Sequence, residues 1–190
     1  GGLPVSVKTR IGYNKNEIET LIPELLKEDL AALTLHLRTR KEMSNVPAHW
    51  ELMKGIVEIR NRMKKDTLIL GNGDVMNLED AKQKIKETGC DGVMLGRAIF
   101  GNPFLFAEQK YLEQKKLQVM VEHTKLFEKI LGKHKNFAIM KKHFKAYVNK
   151  TLNASAQGGS ASGGNELRMK LMETENAEQV EEIVKKFIAL

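Results

Sequence analysis

Apolar and polar positions alternate between two periods over the first 109 residues and then keep only one. Pro4 to Arg10 (PVSVKTR) is short, rich in β-branched residues and opened by proline, which predicts a strand. Asn16 to Asp29 sets Ile18, Leu21, Ile22, Leu25 and Leu26 at helical spacing. Ala32 to Leu37 is a second strand, and Trp50 to Met63 a second helix with Leu52, Met53, Ile56, Val57 and Ile59 on its apolar face. Leu68-Ile69-Leu70 starts a third strand. A helix containing Ala81 and Ile85 follows, with Asn77 placed to cap it, and Asp91 to Leu95 forms a fourth strand. Strict alternation of strand and helix predicts a parallel sheet. Val5, Val7, Leu33, Leu35, Leu68 and Leu70 are expected on the inward strand faces.

From Gln118 the strand period disappears. Gln118 to Leu131 and Asn136 to Lys150 read as two amphipathic helices. Residues 153–165 (NASAQGGSASGGN) are almost all small and polar, the composition of a flexible linker. Glu166 to Ile188 is amphipathic again and predicts two helices broken near Thr174 to Asn176.

Two turns follow strand ends: Gly71-Asn72-Gly73-Asp74 after the third strand, and Gly96-Arg97 after the fourth. Strand C-termini are where α/β folds place ligands. Glycines there let backbone approach an anion, and Arg97 adds a planar fork of donors. One phosphate between adjacent strand ends is one reading, and two ordinary βα loops are the other. Four units are too few to close an eight-stranded barrel, and no GxGxxG follows the first strand. Phosphate sites in TIM barrels usually lie after strands seven and eight, so the four units fit strands five to eight. The expected architecture is therefore α/β: the second half of a TIM (β/α)8 barrel, residues 1–112, followed by an all-α helical domain, residues 113–190.

Charge changes this picture in one place. The 190 residues carry a formal net charge of +7. Residues 110–150 alone hold 11 Lys+Arg against 3 Asp+Glu, a balance of +8. A solvated helix face is the ordinary reading of such a run, and an anionic partner the sharper one. Cys90, the single cysteine, excludes a disulfide framework within these residues and fits a reducing, cytoplasmic setting. It sits at a helix-to-strand turn, the end opposite the strand C-termini, which predicts a structural role. The five histidines show no metal-ligand spacing.

Several stretches together resemble the later part of the tRNA-dihydrouridine synthases. They are PVSVKTRIG at 4–12, LHLRTR at 35–40, AHW at 48–50, GNGD at 71–74, GCDGVMLGRAIFGNPFLF at 89–106, MKKHFKAYV at 140–148 and ELRMKLM at 166–172. The resemblance implies an FMN-binding barrel, NADPH as reductant, and reduction of a flipped-out uridine in tRNA. Lys8 and His36 would meet the flavin, and Asn72, Gly73, Asp74, Gly96 and Arg97 would hold its ribityl chain and phosphate. Arg38 and Arg40, past the same strand end as His36, would meet flavin or RNA phosphates, and Lys141, Lys142, His143, Lys145 and Arg168 would meet RNA phosphates. The family's catalytic cysteine lies on a loop before this chain begins, so the chain is expected to be a fragment that needs the other barrel half and holds no catalytic residue. An FMN-barrel oxidoreductase for a small molecule, similar to dihydroorotate dehydrogenase, and a non-catalytic tRNA-binding module are the alternatives.

Overall fold

A computed structural model describes residues 2–107, 113–153 and 161–189. The chain divides into two compact units, Gly1–Ala98 and Ile99–Leu190.

The first unit is an α/β layer. Its strands are β1 (Ser6–Arg10), β2 (Ala32–His36), β3 (Leu68–Asn72) and β4 (Gly92–Met94). They pair in parallel in the order β1-β2-β3-β4. Between them run α1 (Ile18–Lys27), α2 (Met53–Arg62, led by a 3-10 turn at Trp50–Leu52) and α3 (Leu78–Thr88). This is consistent with a partial TIM-barrel-like fold. Asn77 caps α3 as expected, its side chain accepting from the Asp80 N–H, and Gly89 closes the helix in the left-handed region.

Register decides which face does what. Val7, Leu33 and Ile69 are paired in one row, and Thr9, Leu35, Gly71 and Val93 in another. Alternate residues of a strand share a face. Leu33, Leu35 and Ile69 are fully buried in one core with Ile22 and Leu26 of α1 and Met53 and Ile56 of α2, and Val7 and Val93 pack against it. The other face carries Ser6, Lys8 and Arg10, then Ala32, Thr34 and His36, then Leu68, Leu70 and Asn72. The expected inward set therefore mixes two faces. Val7, Leu33 and Leu35 face the helices, whereas Leu68 and Leu70 lie on the opposite face, where Leu68 is half exposed. Short apolar runs without clean alternation hide the register, and only the pairing reveals it.

In the second unit the regular elements among the described residues are, apart from the end of a 3-10 turn at Arg97–Ile99, four α-helices: α4 (Glu113–Leu131), α5 (Ala138–Asn153), α6 (Ala161–Glu173) and α7 (Ala177–Ile188). Leu117 and Met120 of α4, Met140 and Phe144 of α5, Leu171 of α6 and Val180 of α7 are fully buried in one cluster. The break between α6 and α7 falls at the expected place, where the Asn176 side chain caps α7 by accepting from the Gln179 N–H. Two boundaries differ from the pattern. α4 begins five residues early, through a polar turn that periodicity does not mark. α6 takes in residues 161–165 of the small-residue stretch, against the low helix propensity of Gly163, Gly164 and Asn165. Residues 154–160 of that stretch lie outside the described residues. Among the described residues, no helix is long and apolar enough to cross a membrane.

Candidate functional site

The C-terminal strand ends of the first unit gather most of the flavin-site candidates. In the β3 turn, Asn72 donates through Nδ2 to the Met94 carbonyl, 2.8 Å away, which ties the ends of β3 and β4 together. Gly73 follows at φ +128°. A Cβ there would stand 2.7 Å from the Ala48 Cβ and 3.3 Å from His36 Cδ2, so glycine is required by both conformation and space. Asp74 adopts a left-handed φ of 53°.

That carboxylate is the hub. Asp74 Oδ2 accepts from the Arg38 guanidinium and from the Ala48 N–H at 2.9 Å, and Oδ1 accepts from Arg97 Nη2 at 2.9 Å. The Arg38 hydrogen bond, helped by the Ala48 N–H and the charges of both arginines, holds the Asp74 carboxyl below its ordinary value. Arg97 keeps 68% of its side chain exposed and points one edge of its fork at Asp74. Beside it, Gly96 has open space where a side chain would be. Gly96 and Arg97 can thus receive an anion, with Asp74 as the counter-charge that aims the arginine.

Arg38 is 2% exposed. It donates to Asp74, to the Val46 carbonyl at 2.6 Å and to His36 Nε2 at 3.2 Å. The structure places it as an internal strut, with each of its three guanidinium nitrogens bonded to a protein acceptor. Arginine has no acceptor, so His36 Nε2 accepts and the imidazole proton sits on Nδ1. Burial, then the charges of Arg10, Lys8 and Arg38, lower the His36 pKa to about 4, and the ring is neutral at pH 7. Lys8 is exposed on the same sheet face, two positions before Arg10, the register partner of His36. Arg40 is exposed at the surface, its backbone N–H bonded to the Gly12 carbonyl.

Periodicity missed the supports of this site. Trp50 donates from Nε1 to the Gly73 carbonyl at 2.8 Å, and its ring occupies the space a Cβ on Gly71 would need. The AHW motif quoted above held that signal without a role for it. His49 lies between Glu42 (2.9 Å) and Glu51 (3.1 Å). Hydrogen bonding to Glu42, then to Glu51, raises its pKa. The Thr39 N–H, then His49, lowers that of Glu42 to about 2. This knot holds the loop that presents Ala48 to Asp74. Cys90 is buried, its thiol donating to the Gly92 carbonyl at 3.3 Å at the start of β4.

The remaining RNA candidates belong to the second unit. On α5, Lys142 and Lys145 are exposed, while Lys141 and His143 are half-buried. The core side of that helix is made by Met140, Phe144, Tyr147 and Val148. Arg168 is half-buried on α6. Among the described residues, no three His, Cys, Asp or Glu side chains cluster as a metal site.

The comparisons with known proteins agree with one another. The family model described as dihydrouridine synthase matches residues 1–189. The probable tRNA-dihydrouridine synthase of Staphylococcus epidermidis (strain RP62A) is 37% identical over 193 aligned positions, covering 100% of this chain and 56% of that protein. The protein of the same name from Staphylococcus aureus (strain Mu50) is 36% identical over the same span. The probable tRNA-dihydrouridine synthase 2 of Bacillus subtilis (strain 168) is 35% identical, covering 98% of this chain and 56% of that protein. The chain thus spans little more than half the length of these relatives.

Proposed function

The chain belongs to the dihydrouridine synthase family, and from that premise we propose that it is the later part of an FMN-dependent enzyme that reduces uridine to 5,6-dihydrouridine in tRNA. The observation that carries the reading is the bridge from Asp74 to both Arg38 and Arg97 at neighbouring strand ends. It sets a largely exposed guanidinium beside the open Gly96 position, a cradle suited to a phosphate. FMN fits these residues: Gly96 and Arg97 would hold its phosphate, and Asn72, Gly73 and Asp74 its ribityl chain. When bound, it supplies the hydride for uracil, with NADPH as the source.

The chain's own side chains have narrower tasks. Lys8 brings a positive charge to the sheet face that would meet the flavin ring, where a cation stabilises negative charge. His36, neutral with its proton on Nδ1, presents an N–H donor there. Arg40 with Lys141, Lys142, His143, Lys145 and Arg168 would hold the tRNA backbone as phosphate partners. None of these provides the acid that protonates the uracil carbon. Cys90 is buried at the opposite strand end, so the family's cysteine acid would come from residues outside this chain, along with the other barrel half.

The test is to join this chain to the remainder of its gene product, add FMN, NADPH and unmodified tRNA, and measure dihydrouridine by mass spectrometry. Turnover that depends on FMN is expected. Tight FMN binding without any dihydrouridine would refute the tRNA substrate while keeping the flavin site.

A further inference from the structure

Four aromatic rings in the second unit form a row, of which only His143 has a role above, as a phosphate partner. Phe100, in the turn before α4, meets His143 of α5 edge to face, with centroids 6.3 Å apart and planes at 75°. His143 meets His123 of α4 at 5.1 Å, and His123 meets Tyr147 at 6.2 Å. The Tyr147 hydroxyl also lies 3.4 Å from His123 Nδ1. The row runs from the core outwards: Tyr147 is buried, both imidazoles are half-buried, and Phe100 keeps 51% of its surface in water.

Burial of apolar surface accounts for the inner end. It does not account for a large ring left half hydrated at the outer end. Nor is that ring loosely placed. The next residue, Gly101, takes φ +69° and lies so close to α5 that a Cβ would collide with the Ala146 carbonyl. The turn is therefore seated on the helix backbone, and glycine permits the approach. His123 stays neutral at pH 7, its pKa lowered by burial and then by His143, so the inner ring adds no fixed charge.

The helix that carries His143 is also cationic. Lys142 precedes His143, about 100° round the helix, and both it and Lys145 are exposed. Residues 110–150 carry the +8 balance noted above, 11 Lys+Arg against 3 Asp+Glu. An exposed aromatic ring on a cationic unit suits unpaired nucleic acid, in which bases stack and phosphates pair with lysines. We propose that the exposed Phe100 ring, braced by its edge-to-face contact with His143, is a stacking surface for an unpaired nucleobase of an RNA whose backbone is held by the α5 lysines. The inference rests on the RNA reading of the second unit and deepens it, adding a base contact to what were only phosphate contacts.

The experiment titrates the chain, Phe100→Leu and Phe100→Trp with an unmodified tRNA transcript across a salt series. Stacking releases no counterions, so Phe100→Leu is expected to weaken binding by about five- to a hundredfold with the salt slope unchanged. Phe100→Trp should bind like the parent, and its emission, added to that of the single natural tryptophan, Trp50, should be quenched at saturation. Leucine keeps the turn apolar, and an unchanged melting temperature separates lost stacking from lost folding. Equal affinity for Phe100→Leu and the parent overturns the platform and leaves RNA binding standing. A loss that comes with a shallower salt slope, or Trp emission indifferent to saturating tRNA, also overturns it. A parent chain with no affinity for tRNA at any salt removes the RNA reading and the platform together.

Discussion

At the scale of single residues, the strand-end turns are specified by what surrounds them. Arg97 is the open donor of the Asp74 bridge. Arg97→Ala in a flavin-binding form of the protein should weaken FMN affinity by roughly 1.5–3 kcal/mol, the range for a hydrogen bond to a charged group. Equilibrium dialysis reads this directly, and unchanged affinity removes Arg97 from the site. Gly73→Ala adds a Cβ 2.7 Å from Ala48 at φ +128°, so it should cost on the order of 1–3 kcal/mol of stability by denaturant melts. The two histidines near the site should act in opposite pH windows. The folded His36 resists protonation until about pH 4, whereas the unfolded imidazole takes a proton near 6.5. Its contribution is lost as pH falls from about 6.5 towards 4, and His36→Asn should flatten stability in that window. His49 has a raised pKa, so its contribution is complete below 6.5 and fades as pH rises through the folded value. His49→Gln should remove that alkaline loss. Melts across pH that show no difference from the parent would contradict either assignment.

At the scale of elements, α5 divides its circumference between core and charge. Met140, Phe144, Tyr147 and Val148 bury one side, and Lys141, Lys142 and Lys145 occupy much of the rest. Replacing all three lysines with alanine leaves the core intact and keeps helix propensity. It should reduce the slope of log affinity for tRNA against log salt by up to about three units. FMN affinity should not change. An unaltered slope would mean that this face is only solvated. The contrast with Phe100→Leu, where affinity falls at constant slope, separates the two kinds of contact on one element.

At the scale of the molecule, the sheet ends in β1 on one side and β4 on the other. One of its faces carries Lys8, the half-exposed Leu68 and half-buried Leu70. Parallel strand edges and apolar positions of this kind invite association. The 190-residue chain alone is therefore expected to self-associate in sedimentation experiments and to make no dihydrouridine from FMN, NADPH and tRNA. Repeated turnover by the isolated chain, abolished by Cys90→Ala, would overturn both the half-barrel reading and the structural role of Cys90.

Sequence alone was enough for the alternation of β1 to β4 with α1 to α3, the cap at Asn77, the α6–α7 break and the two glycine turns. Each of these depends on local periodicity or on the conformational freedom of one residue. The quoted motifs were likewise sufficient for the family, because order and spacing persist along the chain. What local pattern does not contain is register and side-chain partnership. The sheet face of Leu33 as against Leu68 follows from pairing residues more than thirty positions apart. The burial of Arg38 follows from Asp74, 36 residues on, and the need for Gly71 follows from Trp50. An arginine reads the same in sequence whether its donors meet water or a carboxylate. Only the fold, by bringing those acceptors within hydrogen-bond reach, makes Arg38 a strut and leaves Arg97 open.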